Sequence, residues 1–273
     1  MEKNTGRDFV LELQAGKKVF GPLIGPGNDP EDTVGALKDF GYDFIMVDNE
    51  HSLVNKETIY MYIRAAREMA IPMLLRPEEN SANFRCYLDS GVNGLMLPQV
   101  DSVEQAAFAV NQAYFPPTGH RGSGIGLSPY LLDFQDPAEM PLLAMTQYIN
   151  DNTLVFPQTE SLAGLSSLRQ TLRLDGITGT IVGTNDLALN IGGIDPRAKR
   201  SEVNAAAFLG EKLREIAKIC KEAGKVAGIG GFPPKGCLQR AEEGYQLFTL
   251  GYVRDGNVRN LKPVIEEAKA LIR

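Results

Sequence analysis

Phe44-Ile45-Met46-Val47-Asp48-Asn49-Glu50-His51 is the stretch on which the fold turns. Four apolar residues in a row read as a strand buried on both faces, as in a parallel sheet. They run directly into two acids and one of the two histidines of the chain. A parallel α/β enzyme presents its chemistry in this way, at the C-terminal ends of buried strands. A helix start, whose dipole favours acids, is the alternative, and for Glu50 alone it is the better one. Asp48 and His51 together point to chemistry, because similar strand ends recur downstream.

Working outward, the same rhythm repeats. Strands are expected at Lys18–Ile24, Phe44–Val47, Pro72–Leu75, Gly94–Leu97, Leu154–Gln158, Gly179–Val182, Val226–Ile229 and Leu247–Leu250, with helical patterns between them. Asp29-Pro30-Glu31-Asp32 has the cap, proline and acids of a helix start, and Gly41 ends that helix. Single helices are expected over 202–223 and 258–271. Eight strands alternating with helices predict one α/β domain over residues 1–273, a (β/α)8 TIM barrel. A doubly wound sheet is disfavoured, since no G-x-G-x-x-G follows the first strand and polar residues cluster after many strands.

Two regions break the rhythm. Residues 1–16 read as a polar lead-in with one short helical pattern at Phe9, Val10 and Leu13. Residues 115–150 carry prolines and a glycine-rich tract around His120. They are expected to form a lid or a subunit contact, because Tyr130 and Phe134 suit neither solvent nor disorder.

The chain has 273 residues, 43% of them hydrophobic, and a net charge of −6. It can bury a large core, and no basic run suits nucleic acid or an anionic membrane. No run approaches the roughly 18 apolar residues of a membrane span. Cys86, Cys220 and Cys237 form no metal-ligand pattern and fit reduced thiols in a cytosol.

The strand ends collect Asp48, Glu50, His51, Arg76, Gln99, Gln158, Glu160 and Asp186. Glu160 and Asp186 lie one βα unit apart and should be neighbours; such a carboxylate pair suits magnesium or manganese. Taken singly, each acid is better read as a helix cap or salt-bridge partner. Arg76, between an apolar strand and Pro77, can hold a carboxylate or a developing enolate, or pair internally with Asp48 or Glu50. An aspartate three residues before His51 can orient its imidazole as a general base. Gly183, Thr184 and Asn185 form a turn whose N–H groups can cradle a carboxylate. Arg121-Gly122-Ser123-Gly124 is a further anion candidate at the far end of a substrate. No lysine ends the sixth strand, which disfavours a Schiff base and favours a metal electrophile.

As a set, Asp48-Asn49-Glu50-His51, Leu75-Arg76-Pro77, the tract Tyr114 to Gly122, Gln158-Thr159-Glu160-Ser161 and Gly183-Thr184-Asn185-Asp186-Leu187 resemble the motifs of the metal-dependent class II pyruvate aldolases. These include 2-keto-3-deoxy-L-rhamnonate aldolase and macrophomate synthase. The resemblance covers about residues 18–270. It implies a barrel whose last helix packs on a neighbouring subunit, in hexamers built from dimers. It implies Glu160 and Asp186 as ligands of a divalent cation, magnesium or manganese, with cobalt a further candidate. It implies Arg76 and the 183–186 amides as holders of a 2-oxo acid, His51 with Asp48 as the general base, and Gln158 beside the metal. Gly-Thr-Asn-Asp stands where the family has Gly-Pro-Ala-Asp or Gly-Pro-Phe-Asp, and Pro157 precedes Gln158. The implied activity is reversible cleavage of a 4-hydroxy-2-oxo acid to pyruvate and an aldehyde in the cytoplasm. The rivals are another enolate reaction on the same barrel (oxaloacetate decarboxylation, citrate-type condensation, acyl-CoA cleavage) and a non-catalytic ligand-binding barrel. A CoA substrate calls for basic residues around the mouth, and no such cluster is legible in the sequence.

Overall fold

The computed structural model describes residues 5–272, and the end residues of the lead-in and the C-terminus lie outside them. Eight parallel strands close into a barrel in sequence order: β1 (Val19–Ile24), β2 (Ile45–Asp48), β3 (Met73–Arg76), β4 (Gly94–Leu97), β5 (Leu154–Thr159), β6 (Gly179–Val182), β7 (Val226–Gly230) and β8 (Leu247–Val253). The expected (β/α)8 barrel is the fold.

Alternation along the strands sets which side chains face the axis. Phe44 and Met46, Leu74, Leu154 and Phe156 fill the barrel interior, while Ile45, Val47, Met73, Leu75 and Val155 pack outward against the helices. The inward parity therefore continues onto Asp48, Arg76, Gln158 and Glu160 at the tops of their strands. Asp48 lies in register with Arg76 across the β2–β3 pair. At the other end Gly179 meets β7 so closely that a Cβ there would lie 2.0 Å from the Val226 carbonyl oxygen.

The helices begin where local chemistry directs them. α2 (Pro30–Phe40) is capped by Asp29, whose side chain accepts the Asp32 N–H, and stops at Gly41, φ +89°. The lead-in is more than polar: α1 (Thr5–Gln14) puts Phe9 and Leu13 into the interior cluster and closes the bottom of the barrel. α3 (Lys56–Glu68), α4 (Arg85–Asp89) and α5 (Val103–Ala113) follow in turn.

Residues 115–150 are ordered as three short 3₁₀ turns and α6 (Leu142–Asp151), around a small core of Phe115, Ile125, Tyr130, Met145 and Ile149. They are not a lid over the strand ends. They join α5 to β5, so they lie at the N-terminal end of the strands, where the Tyr130 hydroxyl meets Asn93 Nδ2 just before β4. Arg121 is no free anion holder either. It is buried, ion-paired to Asp89 at 2.6 Å and donating to the Ala113 carbonyl.

α7 (Leu162–Thr171) and α8 (Thr184–Ile191) flank β6. The helix expected over 202–223 is two, α9 (Arg200–Asn204) and α10 (Ala207–Ala223). Ala206 between them is extended, and Asn204 is drawn to the Gly231 carbonyl. α11 (Pro234–Glu242) follows β7. The stretch expected to be one helix over 258–271 is a 3₁₀ turn and then α12 (Lys262–Ile272). The expected reach of this last helix onto a neighbouring subunit is not what the single chain does. α12 lies on its own barrel against α11 and α2, burying Ile265 and Ala268, with Lys269 bonded to the Gly41 carbonyl. No helix among the described residues is long and apolar enough to cross a membrane.

Candidate active site

A cavity of about 450 Å³ opens over the strand ends, lined by Glu50, His51, Gln99, Asp101, Glu160, Ser161, Asp186, Leu189 and Asn190. Three chain-distant segments thus bring Glu50, His51, Glu160 and Asp186 together. Arg76 lies among them, 8% exposed.

Asp48 and Arg76 form a forked pair, Arg76 Nε to Asp48 Oδ1 at 2.9 Å and Nη2 to Oδ2 at 2.7 Å. Burial disfavours the guanidinium charge, but the Asp48 bonds and the charges of Asp48, Glu50 and Glu160 hold it charged. The expected pairing of Asp48 with the His51 imidazole is not formed. The Asp48 carboxylate is spent on Arg76 and on the backbone N–H groups of Glu50 and His51. Geometry explains this: a side chain this short, pointing down the axis, reaches the turn that follows it, but not a ring on the rim. Glu50, expected only to support, is the carboxylate between the two. Its Oε2 is 3.2 Å from Arg76 Nη1 and 3.5 Å from His51 Nε2. Burial raises the Glu50 pKa, against the opposing pull of Arg76 and His51. The His51 side chain is 59% exposed, at the mouth.

Glu160 is fixed from two sides. The Gln99 N–H donates to Oε1 at 2.6 Å, and the Gln158 amide donates to Oε2. Gln99 achieves this with φ +53°, a conformation that a non-glycine residue adopts at a cost of order 1–3 kcal/mol. Gln158 itself is fully buried beneath Glu160 and does not line the cavity; its Oε1 has no hydrogen-bond partner. Burial and the charges of Glu50 and Asp186 push the Glu160 pKa up to about 7.

Asp186, in the first turn of α8, is exposed to the cavity. Gly183 is the N-cap, and no side chain satisfies the first-turn N–H groups of this helix. Its glycine is required by space: a Cβ would lie 2.6 Å from Gln158 Nε2 and 2.8 Å from Glu160 Oε2. The two neighbours turn away from the cavity. Thr184 Oγ1 donates to the Gly230 carbonyl, and Asn185 Oδ1 accepts from Arg200 Nε. Any hold that these residues have on a substrate is through backbone, not side chains.

The donor set fits a hard divalent cation. Asp48, Glu50 and Glu160 surround the single charge of Arg76, and burial, with the neighbouring carboxylates including Asp186, raises Glu50 and Glu160, a setting that a bound cation would relieve. Among the described residues no three His, Cys, Asp or Glu side chains group tightly enough to hold a metal alone. Two carboxylates, with water or substrate completing the set, suit magnesium or manganese rather than zinc.

The sequence model of the HpcH/HpaI aldolase/citrate lyase family matches residues 26–250. The chain belongs to that family. A hydroxypyruvate/pyruvate aldolase of Roseovarius nubinhibens is 30% identical over 222 residues, covering 81% of this chain and 80% of that one. A 2-keto-3-deoxy-L-rhamnonate aldolase of Escherichia coli is 29% identical over 212 residues, 77% of this chain and 74% of that one. The crystal structure of an HpcH/HpaI aldolase from Desulfitobacterium hafniense matches with a TM-score of 0.78 at 23% identity, covering 95% of each chain, a likeness of fold. Family membership makes the chain an enzyme, a carbon–carbon lyase of the aldolase type.

The structure also gathers charges that the sequence scatters. Arg200, Arg214 and Arg240, from α9, α10 and α11, line one cleft at the ends of β7, β8 and β1. The basic cluster not legible in the sequence is therefore present at the mouth, because three helices converge there.

Proposed function

We propose that the chain catalyses reversible, divalent-metal-dependent cleavage of a 4-hydroxy-2-oxo acid to pyruvate and an aldehyde. The observation that carries this is the gathering of Glu160, held by Gln99 and Gln158, with Asp186, Glu50 and His51 in one cavity over buried Arg76. A cation held by Glu160 and Asp186 would supply a Lewis acid for the 2-oxo group; magnesium or manganese suits these oxygens, with cobalt a further candidate.

The open N–H groups of the α8 first turn receive the substrate carboxylate. His51 takes the proton of the C4 hydroxyl. The O–H electrons form the aldehyde C=O, the C3–C4 bond breaks, and its pair moves to C3 as the enolate of pyruvate. Arg76, kept charged by Asp48, opposes the charge that gathers on the enolate oxygen. Glu50, 3.5 Å from His51 Nε2, stabilises the imidazolium in place of Asp48. Return of the proton to C3 gives the methyl group of pyruvate. The same resemblance supports a cytoplasmic homo-oligomer, a hexamer built from dimers. The exposed Leu132, Leu142 and Leu143 near the barrel bottom support a subunit contact there.

Pyruvate release from a panel of 4-hydroxy-2-oxo acids, with manganese present, tests the reading. Turnover of at least one member is expected. Decarboxylation of oxaloacetate without any cleavage of the panel would move the enzyme to another enolate reaction. Inertness toward both would leave a binding barrel. Replacing His51 with glutamine should lower kcat for cleavage about 10²- to 10⁴-fold while leaving manganese affinity within about twofold, since the ring carries protons and not the metal.

A further inference from the structure

The arginine-lined cleft has a volume of about 890 Å³, larger than the carboxylate cavity, and no step of the proposed reaction uses it. No acid lines it. Glu243 stands behind, 2.7 Å from Arg240 Nη1 and 3.8 Å from Arg214 Nη1. One carboxylate shared by two arginines, with Arg200 bonded only to the neutral Asn185 side chain, leaves two positive charges uncompensated. Arg240 is 5% exposed; its Nη1 is spent on Glu243, but its Nε makes no hydrogen bond. Buried N–H donors left unspent cost about 1–3 kcal/mol and are rare without a function. The Arg240 guanidinium is 5.4 Å from the centre of the Phe232 ring, which also lines the cleft. Planar guanidinium forks match phosphate and carboxylate oxygens, and the volume suits an organic ligand.

The cleft adjoins the carboxylate-holding turn. At Gly231, φ +85°, a Cβ would lie 3.0 Å from Thr184 Oγ1 and 3.8 Å from Arg200 Nη2. A ligand seated there therefore borders the 2-oxo acid site. We infer that this cleft binds the phosphate-type oxyanion of a ligand, with Arg214, Arg240 and Arg200 as its donors. The oxyanion belongs either to the far end of a phosphorylated substrate or to a separate phosphate compound bound beside the reaction.

Calorimetric titration of the magnesium-loaded, full-length protein with inorganic phosphate tests the site itself. Arg240→Met is the obvious variant, but its burial puts folding at risk, so exposed Arg214 carries the test. Arg214→Gln should weaken binding about tenfold, and Glu243→Gln, which frees both arginines, should tighten it. Phosphate held at the metal would respond to neither change. Equal affinity in all three proteins, or no binding by the wild type at millimolar phosphate, would overturn the inference. The source is read from pyruvate release. A preference of about tenfold in kcat/KM for a phosphorylated tail, lost in Arg214→Gln, places the oxyanion on the substrate. Phosphate binding without such a preference places it on a separate ligand.

Discussion

Replacing Glu160 with glutamine should abolish metal-dependent turnover and, at the same time, stabilise the metal-free protein at pH 8. The two effects have one cause. In the folded, metal-free chain Glu160 holds its proton up to about pH 7, against an ordinary value of 4.5, because it is buried beside Glu50 and Asp186. A carboxyl raised in this way contributes stability that is fully present below its unfolded pKa and is lost as pH rises through its folded value. The metal-free protein should therefore weaken as pH rises from about 4.5 to about 7, and a bound cation should reverse that loss. Glutamine removes the charge in the same volume. Its oxygen can still accept the Gln99 N–H, and Gln158, whose Oε1 has no partner, can turn to accept the new amide. The gain at pH 8 should be on the order of 1–2 kcal/mol, allowing for partial screening by water. It would appear as a few degrees in Tm. The loss in kcat/KM should be about a thousandfold or more, the several kcal/mol a Lewis acid supplies. A Glu160→Gln protein that kept its activity, or lost metal-free stability at pH 8, would remove Glu160 from the metal site.

Arg76 should show the largest loss of stability. Its guanidinium is forked to Asp48 and ion-paired to Glu50, all three nearly inaccessible to water. Arg76→Met leaves two buried carboxylates facing each other without a cation. Breaking a buried pair from one side costs about 3–5 kcal/mol, which should lower Tm by roughly 10 °C. Activity should fall at least about a hundredfold with it. Arg76→Lys should recover part of the stability, since it restores charge but not the fork. The double variant Arg76→Met with Asp48→Asn separates the roles: stability should return substantially while activity does not. Recovery of both in the double variant would make Arg76 a purely structural residue.

The barrel was legible because each strand is a short apolar run that ends in polar residues, and because that pattern has few other solutions. Phe44 to His51 shows both halves of it. The parity that aims Asp48, Arg76 and Glu160 at the axis is also readable, being set by a period of two. What was not readable depends on distance and direction. The partner of the His51 imidazole is Glu50 and not Asp48, a choice made by side-chain reach at a turn. Residues 115–150 read as a lid or a subunit contact because prolines and glycines interrupt the pattern; that they follow α5, and so fall at the far end of the strands, is the signal against the lid. Gln99 was visible as a strand end, but nothing in a glutamine announces φ +53° or a backbone N–H aimed at Glu160. The arginine cleft assembles from positions 200, 214 and 240, whose proximity exists only once α9, α10 and α11 are in place.

Pyruvate release by the wild-type protein, before and after chelation and again after manganese is restored, tests the central claim most directly. Activity on a 4-hydroxy-2-oxo acid should fall to background with the chelator and return with the metal, while Glu160→Gln stays silent throughout. Full activity in the chelated wild type would contradict the account, because the carboxylate pair would then have no catalytic charge to hold.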